Sequence, residues 1–194
     1  VPAAAQSADP DAIFADIQAR LAAAVGDRRH AWRTPTLATI GRDGAPRART
    51  VVLRGADAAG TRVWFHSDMR SAKCAELAAD GRACLHFYDA DAKLQLRLEG
   101  LAVLHCADAT AQAAWQAAGL SARRTYAIEP GPGMPLDGPD DAAFVADADA
   151  AFARFVVVEL AVASIEWLYL RAEGHRRLVF AQVAGKLEAL WCVP

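Results

Sequence analysis

The chain of 194 residues is 54% hydrophobic and 23% charged, enough apolar material for one domain, residues 1–194, with a sizeable core. Its net charge of −2 leaves no electrostatic footprint for nucleic acid, and no apolar run approaches the roughly 20 residues of a membrane helix. The segment Val1 to Pro10 is small and flexible in composition, without the basic and hydrophobic regions of a signal peptide, so a cytoplasmic location is the expectation.

Asp11 to Val25 carries Ile13, Phe14, Ile17, Leu21 and Val25 at helical spacing, with Asp9 or Asp11 at the start and Gly26 at the stop. Thr36 to Ile40 reads as a short strand. Gly41-Arg-Asp-Gly44 reads as a hairpin turn, since Asp-Gly supplies the positive φ such turns need. A strand is expected from about Arg47 to Arg54, with Arg49, Val51 and Leu53 on one face and Thr50, Val52 and Arg54 on the other. Gly60 leads into a strand over Arg62–Ser67, and Ser71 is a plausible N-cap for a helix to Ala79, with Gly81 as its C-cap.

Arg82–Tyr88 and Lys93–Glu99 read as strands. In the second, Leu94, Leu96 and Leu98 face inward, while Lys93, Gln95, Arg97 and Glu99 line a polar face. Such a face suits water, a polar site or a dimer groove, and periodicity does not choose among them. Ala107–Ala118 reads as an alanine-rich helix containing Trp115, and Ser121–Tyr126 as the start of a short one. Ile128–Asp141, rich in proline and glycine, excludes regular structure and is a functional or flexible loop. A helix is expected over Asp141–Phe152. Strands are expected over Phe155–Leu160, Ser164–Leu170, His175–Phe180 and Leu187–Val193. About eight or nine strands joined by tight turns, with helical additions, predict a mainly β fold, an antiparallel barrel with added helices.

The charge that stands out lies between Arg49 and Lys73. Lys73 falls in the first turn of the predicted helix, where a cation opposes the helix dipole unless an anion docks on the free N–H groups beside Ser71. Arg49, Arg54 and Lys73 are therefore candidates to hold a phosphate; solvated surface cations are the competing reading. The four cysteines, Cys74, Cys84, Cys106 and Cys192, are scattered among apolar neighbours and are expected as buried free thiols. The five histidines have no metal-ligand spacing, so no metal is assigned.

The order Pro35-Thr-Leu-Ala-Thr-Ile, Asp43-Gly-x-Pro46-x-x-Arg49-x-Val-Val-Leu-Arg54, Val63-Trp-Phe-His-Ser67 and Ser71-x-Lys73 resembles the pyridoxamine 5′-phosphate oxidase superfamily. Gln95-x-Arg97-x-Glu99-Gly100, Ile165-Glu-Trp, His175-Arg-Arg177 and Trp191-x-x-Pro194 extend the similarity to the C-terminus. Pro130-Gly-Pro-Gly133 is closer to the cyanobacterial-type flavin-binding branch.

The resemblance implies an antiparallel split β-barrel that binds FMN at the interface of a homodimer and acts as an oxidoreductase, an oxidase or reductase, on a small-molecule substrate. It implies that Arg49 and Lys73 hold the FMN phosphate, helped by Ser67, Ser71 and the chain around His66. Arg54 would lie near the phosphate or the flavin edge. Gln95 would bond the flavin ring, and Arg177 would approach it from the other subunit. Ser121, Arg123 and Arg124 fall in the region of the oxidases' substrate-phosphate motif without matching it and are the substrate candidates, and His175 is a candidate proton donor. There are departures: Ala72 stands where the oxidases have an arginine, and Leu168 where they have a tryptophan, with Trp167 one place away on the opposite face. A flavin carrier, sensor or structural dimer that does not turn over is the alternative.

Overall fold

The computed structural model describes residues 7–144, 148–183 and 186–194. Helix α1, Pro10–Gly26, starts from an Asp9 N-cap whose side chain accepts from the Asp11 N–H, and it seats Ile13, Ile17, Leu21 and Ala24 in the core. A 3-10 turn at Ala31–Arg33 buries Trp32 against Phe87, with ring centroids 5.8 Å apart. Strands β1 (Thr36–Ile40) and β2 (Pro46–Thr50) form the expected hairpin, with Gly44 at φ 79°.

The strand predicted from Arg47 to Arg54 is two. After β2 the chain turns at Val51 and Val52 and resumes as β3, Leu53–Ala56. Strand β2 pairs with β1, whereas β3 pairs with β4, Arg62–Asp68. Changing partners is what interrupts the run, yet the alternation survives it: Val51 and Leu53 are buried, and Thr50, Val52 and Arg54 are exposed. Helix α2, Ala72–Ala79, follows, ended by Asp80 rather than Gly81.

Strands β5 (Arg82–Asp89) and β6 (Leu94–His105) come next. Leu94, Leu96 and Leu98 are fully buried, as expected, each stabilising the fold by about 1.5–3 kcal/mol. Strand β6 runs six residues past Glu99 because a register shift at Glu99/Gly100 lets it keep pairing. Helices α3 (Ala109–Ala117) and α4 (Leu120–Arg124) are shorter than or offset from the predicted ones. The proline-rich loop is closed by the two-residue strands β7 (Ile128–Glu129) and β8 (Ala143–Phe144). Helix α5, Ala148–Arg154, replaces the helix predicted from Asp141, part of which lies outside the described residues.

The two strands predicted over 155–160 and 164–170 form one 15-residue strand, β9, Phe155–Tyr169. Its first half pairs with β4 and its second with β10, Arg176–Val183, while β6 runs along its other edge. Ala161 and Val162, between the two predicted strands, stay extended because neighbours on both sides satisfy the backbone, and Ala163 is the extra residue at the register shift opposite Glu99 and Gly100. Strand β11, Lys186–Cys192, closes the order β11-β10-β9-β6-β5-β1-β2, all antiparallel. All four cysteines are free, but only Cys74 is buried; the other three are half-buried on strands or strand ends. No described helix is long and apolar enough to cross a membrane.

Candidate functional site

Two adjoining cavities open beside β3 and β4. The smaller, about 300 Å³, is lined by Arg54, His66, Ser67, Asp68 and Lys73, together with Tyr126 and Pro132. The larger, about 830 Å³, shares Arg54, His66 and Tyr126 and adds Trp64, Phe155 and Ser121.

Lys73 Nζ donates to Ser67 Oγ at 3.1 Å, and no carboxylate pairs with Lys73 among the described residues. It sits in the first turn of α2, whose N-cap Ser71 makes no side-chain capping bond. Instead Ser71 Oγ donates to the Asp68 carbonyl at 2.6 Å, buried behind the cavity wall. Lys73 thus brings a cation to the cavity beside the Ser67 hydroxyl, a suitable seat for a phosphate.

Phe155 is the hub of the aromatic wall. Its ring lies 4.9 Å from His66, 5.1 Å from Tyr126 and 5.3 Å from Trp115. Burial, reinforced by the nearby Arg54 charge, brings His66 down to about 4, so it is neutral at neutral pH. Burial pushes the Tyr126 phenol up to about 12, which keeps its proton available as a hydrogen-bond donor.

The predicted site residues separate into groups. Arg54, His66, Ser67 and Lys73 line the smaller cavity, and Ser121 lines the larger. Arg49 is turned toward α2, where its guanidinium bonds the Thr39 hydroxyl and Glu76, 2.6 Å away; it lines neither cavity. Gln95 and Arg177 lie on the outward face of the sheet, both in register with Leu168. There Arg177 and Arg97 cover the buried Glu166. Trp167 faces the core from the opposite side, as expected. Arg123 stacks over Trp115, Arg124 stacks over Phe144, and His175 is exposed just before β10. Tyr126, Phe155, Arg28 and Arg33 carry no spacing signal in the sequence; they reach the cavities from separate segments.

The fold is that of solved split-barrel proteins. It superposes with a TM-score of 0.74 on a pyridoxamine 5′-phosphate oxidase-related, FMN binding protein from Nostoc punctiforme, 23% identical, covering 97% of this chain and 100% of that one. It superposes equally well, at 21% identity, on PhzG from Burkholderia lata in complex with tetrahydrophenazine-1-carboxylic acid, covering 97% and 94%. The family model "Pyridoxamine 5′-phosphate oxidase, FMN-binding domain" matches residues 15–106. The pyridoxine/pyridoxamine 5′-phosphate oxidase 2 of Arabidopsis thaliana is 30% identical over 165 residues, 80% of this chain and 82% of that protein. A bacterial pyridoxine/pyridoxamine 5′-phosphate oxidase, from Cupriavidus metallidurans, is 45% identical over 65 residues, 34% of this chain and 30% of its own length.

The fold and site therefore define an FMN-binding split barrel. The chain belongs to the pyridoxamine 5′-phosphate oxidase family, and its cofactor is FMN. The donor set fits that cofactor: Lys73, without a carboxylate partner among the described residues, and the Ser67 hydroxyl suit its phosphate, and the His66, Tyr126 and Phe155 rings suit a planar body.

Proposed function

We propose that this protein is an FMN-dependent oxidoreductase acting on a small-molecule substrate, and that it works as a homodimer. The observation that carries the reading is the pair of joined cavities, one cationic and small, the other aromatic-walled and large enough for a second molecule. Lys73, Ser67 and Arg54 would hold the cofactor's anionic end. When bound, FMN supplies the electron transfer. His66, uncharged at neutral pH, and Tyr126, protonated, would orient the reactants without adding charge beside the flavin. The aromatic wall of Trp64, Tyr126 and Phe155 would keep bulk water from them.

The dimer is supported by the two-way division of the cofactor residues that the family resemblance implies. Gln95 and Arg177 stand on the outward sheet face, apart from the cavity of Lys73, so a second copy is the economical way to bring them to it. The last strand also exposes Leu190 and Trp191 at 67% and 41%, apolar surface of the kind that an interface covers.

Native mass spectrometry of the purified protein reads both points together. A dimer carrying FMN is expected, and a monomer without measurable FMN affinity overturns the reading. Two relatives carry the name pyridoxine/pyridoxamine 5′-phosphate oxidase, so pyridoxamine 5′-phosphate is the first substrate to offer. Hydrogen peroxide release with it selects an oxidase, and bleaching of the flavin by NADH or NADPH selects a reductase. Bound flavin that no donor reduces and no substrate reoxidises makes the protein a carrier or sensor.

A further inference from the structure

The outward face of the sheet carries a carboxylate that strand alternation turns away from the core, yet water scarcely reaches it. Glu166, on β9, is only 8% exposed. It stands directly opposite Arg97 on β6 and Val179 on β10, on the face that carries Gln95 and Arg177. Arg177 donates to Glu166 Oε2 through two atoms, Nε at 3.0 Å and Nη2. Arg97 Nη2 lies 3.4 Å from the same oxygen and 2.9 Å from Glu99 Oε1. Glu99, Arg97, Glu166 and Arg177 thus form a chain of alternating charge across three strands.

Stability does not account for this chain. Desolvating a carboxylate is expensive, and apolar residues of similar volume often do as well as a buried ion pair. Such residues, Leu168 and Val179, are its neighbours on the face. Arg97 also leaves its Nε enclosed without a partner among the described residues. What the chain supplies is direction. Two bonds to one carboxylate fix the plane of a guanidinium whose side chain is otherwise rich in rotamers. Arg177 is engaged along its Nε and Nη2 edge, and Nη1 has no partner among the described residues.

We infer that Glu166 is a positioning residue: it presets Arg177, while Arg97 braces the carboxylate from the neighbouring strand, so that Arg177 meets the cofactor of a second copy with its guanidinium already oriented. This rests on the reading above that Arg177 serves the FMN of a partner chain. Glu166 acts only through Arg177. Its own negative charge disfavours an anionic cofactor nearby, so a role in position and a role in charge predict opposite effects when that charge is removed.

The test is a double-mutant cycle on the whole chain, Glu166→Gln with Arg177→Ala, read as FMN affinity in flavin-fluorescence titrations. Arg177→Ala is expected to weaken FMN binding about ten-fold. Glu166→Gln, which keeps the shape and removes the charge, is expected to weaken it about three- to ten-fold beside Arg177 and less than about two-fold beside Ala. Glu166→Asp, which keeps the charge on a shorter stem, is expected to lose less than Glu166→Gln. It replaces Glu166→Gln in the cycle should that variant not fold, and its loss must likewise vanish without Arg177. Tighter FMN binding in Glu166→Gln gives Glu166 a purely electrostatic role. Equal losses with and without Arg177, accompanied by equal drops in melting temperature, give it a purely structural one. Either result overturns the inference and leaves the flavoprotein reading standing. A parent protein without FMN affinity, or an Arg177→Ala protein with unchanged FMN affinity, overturns the reading on which the inference rests and the inference with it.

Discussion

Arg49 and Glu76 are joined by an ion pair of 2.6 Å that locks β2 to α2, with Glu76 almost wholly inaccessible and its carboxylate shared with the Thr39 hydroxyl. The pair makes Arg49 a brace of the helix on which Lys73 stands. Removing Glu76 leaves a half-buried guanidinium without its counter-charge, which costs about 3 kcal/mol. Glu76→Ala should therefore lower the urea midpoint of tryptophan-monitored unfolding clearly, and Glu76→Gln should lower it less. An Ala variant as stable as the parent would show that the brace contributes nothing.

Lys73 has the opposite character, a cation whose one partner among the described residues is a hydroxyl. A charge-assisted bond to phosphate is worth roughly 1.5–3 kcal/mol, so Lys73→Ala should weaken FMN binding by about ten- to a hundred-fold in flavin-fluorescence titrations. Arg49→Ala should combine a weaker FMN effect with a loss of stability, because its guanidinium is engaged by the chain itself. Unchanged FMN affinity in Lys73→Ala would move the phosphate elsewhere.

The depressed His66 gives a signed pH dependence. In the folded chain it titrates at about 4, against an ordinary 6.5. Between these values the unfolded chain binds a proton that the folded chain refuses, so stability falls as pH drops from 6.5 toward 4. His66→Gln should flatten that part of the stability profile, and an NMR titration of the His66 ring should place its midpoint well below 6.5. A midpoint at the ordinary value would remove His66 from its sheltered setting.

Gly55 is needed for the shape of the cavity. A Cβ there would lie 2.0 Å from the Trp64 ring, which packs across the glycine. Gly55→Ala must displace Trp64, one side of the aromatic wall, at a cost of about 1–3 kcal/mol. Reduced thermal stability should be accompanied by a shift in tryptophan fluorescence. A variant with parental stability and spectrum would mean that the indole moves without consequence.

The proline-rich loop is tied down at its start by two arginines. Arg70 donates to Asp68 at 2.8 Å, to Glu129 at 3.1 Å and to the Ile128 carbonyl at 3.0 Å, while Arg154 also pairs with Glu129. Pro132 of this loop lines the smaller cavity. Arg70→Ala should make residues 128–141 markedly more sensitive to limited proteolysis and weaken FMN binding less than Lys73→Ala does. Equal protease resistance in variant and parent would show that the loop is held by other contacts.

Local order could be read without coordinates wherever a pattern is confined to one element. The buried stripe of α1, the Gly41–Gly44 hairpin, the helix starting at Ser71 and the inward row Leu94, Leu96 and Leu98 all follow from periodicity and turn chemistry. The uncommitted charge of Lys73 was visible for the same reason, because a lysine in a first helical turn is at odds with the helix dipole. Where partners change, pattern fails: β2 and β3 read as one strand, and β9 as two, since pairing across the sheet decides where backbone stays extended.

Tertiary structure alone brought Arg28 and Arg33 to one cavity with Trp64 and Phe155, because those segments meet only after the sheet has curled and α1 has packed on it. It alone turned Arg49 toward Glu76 and set Gln95 and Arg177 on a face apart from Lys73. A sequence states which charges exist and which stripe is apolar; the direction in which a long cationic side chain points is chosen by the counter-charges and surfaces that folding places within its reach.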